Sequence, residues 1–363
     1  MKRRQMIAAL GGAAAWPLAA RAQQTAMPVI GFLSAGSLGP YAHAVAGFNR
    51  GLREKGYIEN YNIRTEFRWA EGHNERLPAF AADLVSRVSV IATQANVAIA
   101  AAKAQTTTIP IVFLTGGDPV RDGFVASFNR PGGNITGATW FSPDPMAKRL
   151  DLLHQIVPKA AVVAQLIDQN FEDSVRQIPL VEAAARALGL QLIVLGNRTP
   201  SDIHTAFTSL LQRGANALVV GPGALHFNQR GQIIALATDH AIPTIYPFRE
   251  FALDGGLIGY GNRLQTAFQW AGVYVGRVLK GEKPSDLPVM QSTEFELVIN
   301  VKTAKMLGIE IPPTLLALPT RSSNEAARSH HAPRRRRDVA ARGAGAAART
   351  SEAGWRADGI RRE

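Results

Sequence analysis

The 363-residue sequence contains no cysteine. That absence excludes disulfide staples, thiolate metal sites, Cys nucleophiles and a lipid attached to a leader cysteine, so the core must hold the fold together unaided. Motifs that cradle phosphates or carry hydrolytic nucleophiles are missing as well. No G-x-G-x-x-G follows the first strand pattern, and neither G-x-x-x-x-G-K-[ST], G-x-S-x-G nor H-E-x-x-H occurs. The six histidines of the body (His43, His73, His154, His204, His226 and His240) stand singly, without metal-ligand spacing. No enzyme activity, metal or cofactor is therefore expected. Asp118 and Asp168 could serve as an acid/base pair if they met, but the ammonium group of a solute would need a carboxylate there equally well.

The apolar run 6–20 is too short to cross a bilayer as a helix, which takes about 20 residues. Lys2, Arg3 and Arg4 precede it, and Ala20-Arg21-Ala22 closes it with a small-x-small step. This is the pattern of a secretory signal peptide over 1–22, with a mature chain starting near Gln23, exported and soluble in the periplasm. The competing reading is a buried N-terminal helix. Arg3-Arg4 also fits a twin-arginine leader, so the export route stays open.

The other end carries most of the charge. The chain is +12 overall, yet residues 321–363 hold eleven arginines against five acidic residues, and the leader adds four more cations. The body between them is close to neutral, which excludes a nucleic-acid partner for the folded part. The tail, centred on Arg334-Arg335-Arg336-Arg337, has no apolar periodicity and is expected to be disordered. A basic arm and a read-through extension are the two readings of it.

Between the ends, short apolar runs alternate with helical patterns. The run 29–33 reads as a strand covered on both faces, and Tyr41, Ala44, Val45, Phe48 and Leu52 fall on one helical face behind it. Further strand patterns lie at 63–68, 88–92, 109–113 and 135–138, then at 161–167, 190–195, 217–220 and 242–246, with helical segments between. Two successive βα series predict an α/β fold of two doubly wound parallel-sheet lobes, joined near Thr139-Trp140-Phe141-Ser142. The elements after 246 are too few for a third domain. They are read as the chain crossing back: 27–139 plus about 252–284 form the first lobe, and 140–251 plus about 285–318 the second, with a multi-strand hinge that lets the lobes close on a ligand.

Ligands of open parallel sheets lie beyond the carboxyl ends of the strands. The candidates there are Ser34 and Ala35 after the first strand, Gln94 and Ala95 after the third, and Gly116, Gly117 and Asp118 after the fourth. Trp140 stands at the crossing, and Asp168, Phe171, Gly221, Tyr246, Phe248 and Tyr260 come from the second series. Glycines would admit an anion to backbone N–H groups, Asp168 would face a cation, and the aromatics would stack on an apolar side chain. The alternative is that the same residues are ordinary turn and cap residues, and the aromatics core. Arg249-Glu250 reads either as a surface pair or as a hinge support.

Several of these strings resemble a family. They are Ile30-Gly31-Phe32-Leu33-Ser34, Trp69-Ala70-Glu71-Gly72, Thr115-Gly116-Gly117-Asp118-Pro119-Val120, Asn129-Arg130-Pro131-Gly132-Gly133-Asn134, Phe248-Arg249-Glu250-Phe251 and Phe295-Glu296-Leu297-Val298-Ile299-Asn300. Together with the leader they resemble ABC-transporter substrate-binding proteins, similar to the TrpX-like receptors, over about residues 1–318. The resemblance implies a type I periplasmic-binding-protein fold with a venus-flytrap cleft. It also implies a monomer that captures an amino acid or similar carboxylate, and an inner-membrane ABC permease as partner. Thr93-Gln94-Ala95-Asn96 departs from the glycine-rich turn expected there, implying a narrower, more polar pocket, and the basic tail has no counterpart. A periplasmic sensor domain, or an enzyme on the same scaffold, are the alternatives, because fold alone does not fix function.

Overall fold

The structure, a computed structural model, describes residues 27–141, 145–292 and 294–316. The expected signal peptide, the basic tail and Ser142 lie outside the described residues. Twelve strands are described: β1 Val29–Ser34, β2 Arg64–Trp69, β3 Val90–Gln94, β4 Ile111–Thr115, β5 Ile135–Thr139, β6 Val162–Asp168, β7 Gln191–Asn197, β8 Ala217–Val220, β9 Thr244–Tyr246, β10 Ile258–Asn262, β11 Met290–Gln291 and β12 Phe295–Ile299. They form two six-stranded sheets, ordered β11-β5-β4-β3-β1-β2 and β12-β10-β9-β8-β6-β7. Every pairing is parallel except β10 with β12. The chain is thus two α/β sheet units with helices on their faces, and in both the first strand lies inside the sheet beside the second.

The central strands are buried along their length because helices cover both faces, which is why they read as unbroken apolar runs rather than as alternations. Helix Leu38–Glu54 buries Tyr41, Ala44, Val45, Phe48 and Leu52, the stripe its 3.6-residue period requires. Helix Leu264–Leu279 packs across it at backbone distance. A Cβ on Gly51 would lie 2.0 Å from the Gln269 carbonyl oxygen, and one on Gly272 would lie 2.1 Å from that of Phe48. Glycine is required there by close approach, not by turning. No described helix is long and apolar enough to cross a membrane.

The expected lobe limits shift. Residues 252–284 do not go to the first sheet as a block, because β10 pairs with β9 and β12 in the second. Nor do 285–318 go wholly to the second, because β11 pairs with β5 in the first. The chain crosses back only at Arg263, where helix Leu264–Leu279 begins, and returns again between Ser292 and Phe295. The apolar segment before Arg263 continues the parallel series of the second sheet, whereas two-residue β11 carries no apolar run that would mark it in the sequence.

Three segments therefore connect the sheets, and charge ties the two later ones together. Glu296, at the start of β12, accepts from Arg249 Nη1 at 3.0 and 2.9 Å and from Arg263 Nε and Nη2 at 3.0 and 3.1 Å. Asn262 Nδ2 donates to the Ser292 carbonyl at 2.9 Å, joining the two later crossings. Arg249 thus pairs at the hinge with Glu296, not with its neighbour Glu250.

Candidate functional site

Several strands extend one or two residues beyond their sequence-based limits at the carboxyl end, and this places their last polar residues inside the molecule. Thr93, Gln94 and Thr115 are all buried. Those ends face the corresponding ends of the second sheet, and a cleft of ≈ 370 Å³ lies between them. That is within the range of small-molecule sites, about 300–1,000 Å³.

Of the fourteen sequence-selected residues, Ala35, Gln94, Ala95, Gly116 and Trp140 line this cleft from the first unit and Asp168, Phe171 and Phe248 from the second. Gln94 is held in place from behind. Ser34 Oγ donates to its Oε1 at 2.8 Å, while its Nε2 donates to Tyr41 Oη at 3.3 Å. Gly116 lets Trp140 close over it, since a Cβ there would sit 2.6 Å from the indole Nε1. Asp168 is buried at the end of β6, where its carboxylate accepts from the N–H groups of Asn170 at 2.9 Å and Leu225 at 3.0 Å. It carries the cleft's buried negative charge while stitching together two loops of the wall.

Six of the fourteen do not line the cleft. Ser34 lies behind Gln94. Gly117 sits beneath the junction of the two units, its N–H donating to Thr115 Oγ1 at 2.8 Å. Asp118 caps a turn by accepting from the N–H groups of Val120 and Arg121 at 3.0 and 3.2 Å, an Asx role. Gly221 accepts from His226 Nδ1 at 2.9 Å, and burial pushes the pKa of that imidazole down. Tyr246 is core, stacked on Phe251 with centroids 4.8 Å apart, and Tyr260 stacks on Phe295 at 5.6 Å. Tyr246 fits the core reading, whereas Tyr260 is half-buried against the core of the second unit and away from the cleft. Asp118 and Asp168 make no hydrogen bond to each other, and nothing in the geometry joins them as an acid/base pair.

The structure also brings in residues that sequence patterning missed. Tyr41 belongs to the buried stripe of its helix, yet its ring reaches the cleft and packs against Phe227 of the other unit at 4.6 Å. Burial raises its pKa, so the phenol is un-ionised. The segment from Glu71 to Glu75 forms one lip, with Glu71 and Gly72 in the left-handed region at φ 57° and 86°. Arg198, Thr199 and Pro200 form the opposing lip, where a Thr199–Asp202 capping box starts helix Pro200–Gln212. The Thr-Pro-x-Asp spacing was a legible helix start; the Glu71 lip had no periodic signal.

Helix Asn96–Gln105 begins in the wall of the cleft; the N–H groups of Ala98 and Ile99 already donate to the Ala95 carbonyl at 3.0 Å, which leaves those of Asn96 and Val97, both lining residues, as its first-turn donors. Its N-cap, Ala95, sits at φ 80°, ψ 146°, a conformation normally left to glycine. The cleft thus combines a helix N-terminus on one side, a buried carboxylate on the other and the rings of Tyr41, Trp140, Phe171 and Phe248 around it. Among the described residues no group of three or more His, Cys, Asp or Glu is arranged to hold a metal ion.

The family model of ABC transporter substrate binding protein matches residues 27–323. A tyrosine-binding protein of Clostridioides difficile (strain R20291) is 28% identical over 269 residues, 74% of this chain and 77% of that one. Among solved structures, a conserved domain protein from Vibrio cholerae matches with TM-score 0.75 at 23% identity, covering 82% of this chain and 99% of its own. The ABC domain in complex with L-Trp from Streptococcus pneumoniae matches with TM-score 0.72 at 23% identity, covering 80% and 97%. The two solved structures share the fold.

Proposed function

The chain belongs to the ABC transporter substrate binding protein family, and from that premise we propose that it captures a single aromatic α-amino acid in the cleft and delivers it to a membrane permease. The observation that carries the reading is the distribution of chemistry across one cavity. The start of helix Asn96–Gln105 offers N–H groups and a positive dipole end to a carboxylate, and Asp168 offers a negative charge to an ammonium. Trp140, Phe171, Phe248 and Tyr41 supply ring faces for an aromatic side chain. The names of the relatives support the same class, since one binds tyrosine and another holds L-Trp.

On this reading Gln94, held by Ser34, orients the solute by hydrogen bonding, and Ala35, Ala95 and Gly116 shape the wall. The lobes are 27–141 with 263–292, and 145–262 with 294–316, and they close around the solute as a monomeric receptor. The chain is exported by its leader and acts free in the periplasm. No bond in the solute is broken; the work is recognition and closure.

Thermal melting of the full chain with L-tryptophan and L-tyrosine tests this directly. A ligand at a hundred times its Kd adds about 2.7 kcal/mol of stability, which moves Tm by several degrees. Tryptamine, lacking the carboxylate, and indole-3-propionate, lacking the ammonium, should each stabilise far less. If neither amino acid shifts Tm while a sugar or a dicarboxylate does, the reading is wrong.

A further inference from the structure

A second charged cluster lies outside the cleft, at the contact between the two units. Arg121, from the loop after β4, reaches across to Asp173 in helix Glu172–Arg176, pairing its Nη2 with Asp173 Oδ1. The same guanidinium stands over the Phe141 ring at 5.3 Å and lies 3.4 Å from Asp122 Oδ1. The side chain of Asp173 is only 3% exposed, and its second oxygen, Oδ2, has no hydrogen-bond partner. The Asp122 and Asp173 Oδ2 atoms both lie 2.6 Å from the point a Cβ on Gly117 would occupy, so a bare glycine is what lets two carboxylates from different units meet. Asp122 is tied to the cleft as well, because Asn96 Nδ2 donates to its Oδ2 at 2.8 Å and Asn96 lines the cavity.

We propose that Arg121, Asp122 and Asp173 form a proton-operated closure device, in which protonation of Asp173 favours the closed arrangement of the two lobes. The inference rests on the solute-capture reading for its purpose, though not for its test. With both carboxylates charged, one guanidinium must serve two anions in a buried contact, and Asp173 Oδ2 is left desolvated without a donor. A proton on Asp173 removes the like-charge repulsion and turns the orphan oxygen into a possible donor toward Asp122. The other charged groups around Asp173 are Arg176, which lowers its pKa, and Glu172, which is itself paired with Arg176 at 2.5 Å. Burial, together with Asp122, outweighs Arg121 and Arg176 and raises the Asp173 pKa to about 6 where the two units meet. Separated lobes would return Asp173 to water, with a pKa near 3.9. The closed form then binds the proton more tightly, so closure is promoted as pH falls through 6 and weakened as pH rises above it.

Because the chain has no native cysteine, spin labels on Ala82→Cys and Thr205→Cys would be the sole probes. The two positions lie on helices Leu77–Val85 and Pro200–Gln212, which leave the opposing lips. Inter-label distances are measured on the full chain without solute between pH 4.5 and 8. The ratio of short-distance to long-distance populations should rise about tenfold from pH 7.5 to pH 5. In Asp173→Asn, a fixed neutral isostere, it should be high and flat; in Asp122→Asn the pH response should shrink. A flat wild-type profile, a closed population that falls in acid, or an unchanged response in Asp173→Asn overturns the proposal. If L-tryptophan and L-tyrosine fail to bind while this profile is seen, the device stands and the assignment of the solute falls.

Discussion

Ser34 Oγ donates to Gln94 Oε1 at 2.8 Å, joining the ends of β1 and β3 at the floor of the cleft. Both residues are buried, so the bond has no water to replace it. Ser34→Ala would leave the amide oxygen of Gln94 without its donor, at a cost of about 1–3 kcal/mol. Urea unfolding should show a lower midpoint with an unchanged m-value. Affinity for L-tryptophan should fall as well, because Gln94 loses its fixed orientation. Ser37→Ala is the matched control: Ser37 makes no side-chain cap bond, and stability there should change by no more than about 0.5 kcal/mol. Equal effects from the two substitutions would remove Ser34 from any role at the site.

Ala95 supports a prediction of the opposite sign. It holds φ 80°, ψ 146° at the start of helix Asn96–Gln105, and strain of this kind costs on the order of 1–3 kcal/mol. Ala95→Gly releases that strain, partly offset by the greater freedom of glycine in the unfolded chain. The net outcome should be a gain of about 1 kcal/mol in urea, together with a wider cleft from which a methyl has been removed. Titration with L-tryptophan and the bulkier 5-methyltryptophan would register that width as a shift in preference toward the larger ligand. A less stable glycine variant would show that the backbone at this position is not strained.

The departure at Thr93-Gln94-Ala95-Asn96 was visible in the sequence, and the structure gives it a physical meaning as a non-glycine residue in a glycine conformation. The two parallel sheets were equally visible, because strands covered on both faces leave continuous apolar runs such as 29–33 and 217–220. Eight of the fourteen selected residues line the cleft, since strand ends in such sheets point at ligands by construction. Tyr246 went astray because a strand-end aromatic has the same local pattern whether it points along the sheet or into a core, and Tyr260 because β10 continues two residues past it and leaves it in mid-strand. Tyr41 was hidden for the converse reason, as a cleft residue on a helical stripe that already accounted for it. The crossing at Arg263 could not be read because β10 is apolar in the way any central strand is, and only its partner strand distinguishes the sheets.

Glu250 gives a pH-dependent prediction independent of the closure device. It follows Arg249 in helix Arg249–Leu253, is buried, and its Oε2 has no hydrogen-bond partner. Burial raises its pKa to about 7, outweighing the favourable charges of Arg249 and Arg230, with Glu296 adding to the rise. In the unfolded chain the same group titrates near 4.3. The folded state therefore binds this proton more tightly, so the group's contribution to stability is fully present below pH 4.3 and is lost as pH rises through 7. Glu250→Gln carries the neutral form at every pH. Its unfolding free energy relative to the wild type should climb between pH 5 and pH 8, by on the order of 2 kcal/mol. Denaturant midpoints at a series of pH values measure that difference, and two parallel profiles would show that Glu250 stays charged in the folded protein at no cost.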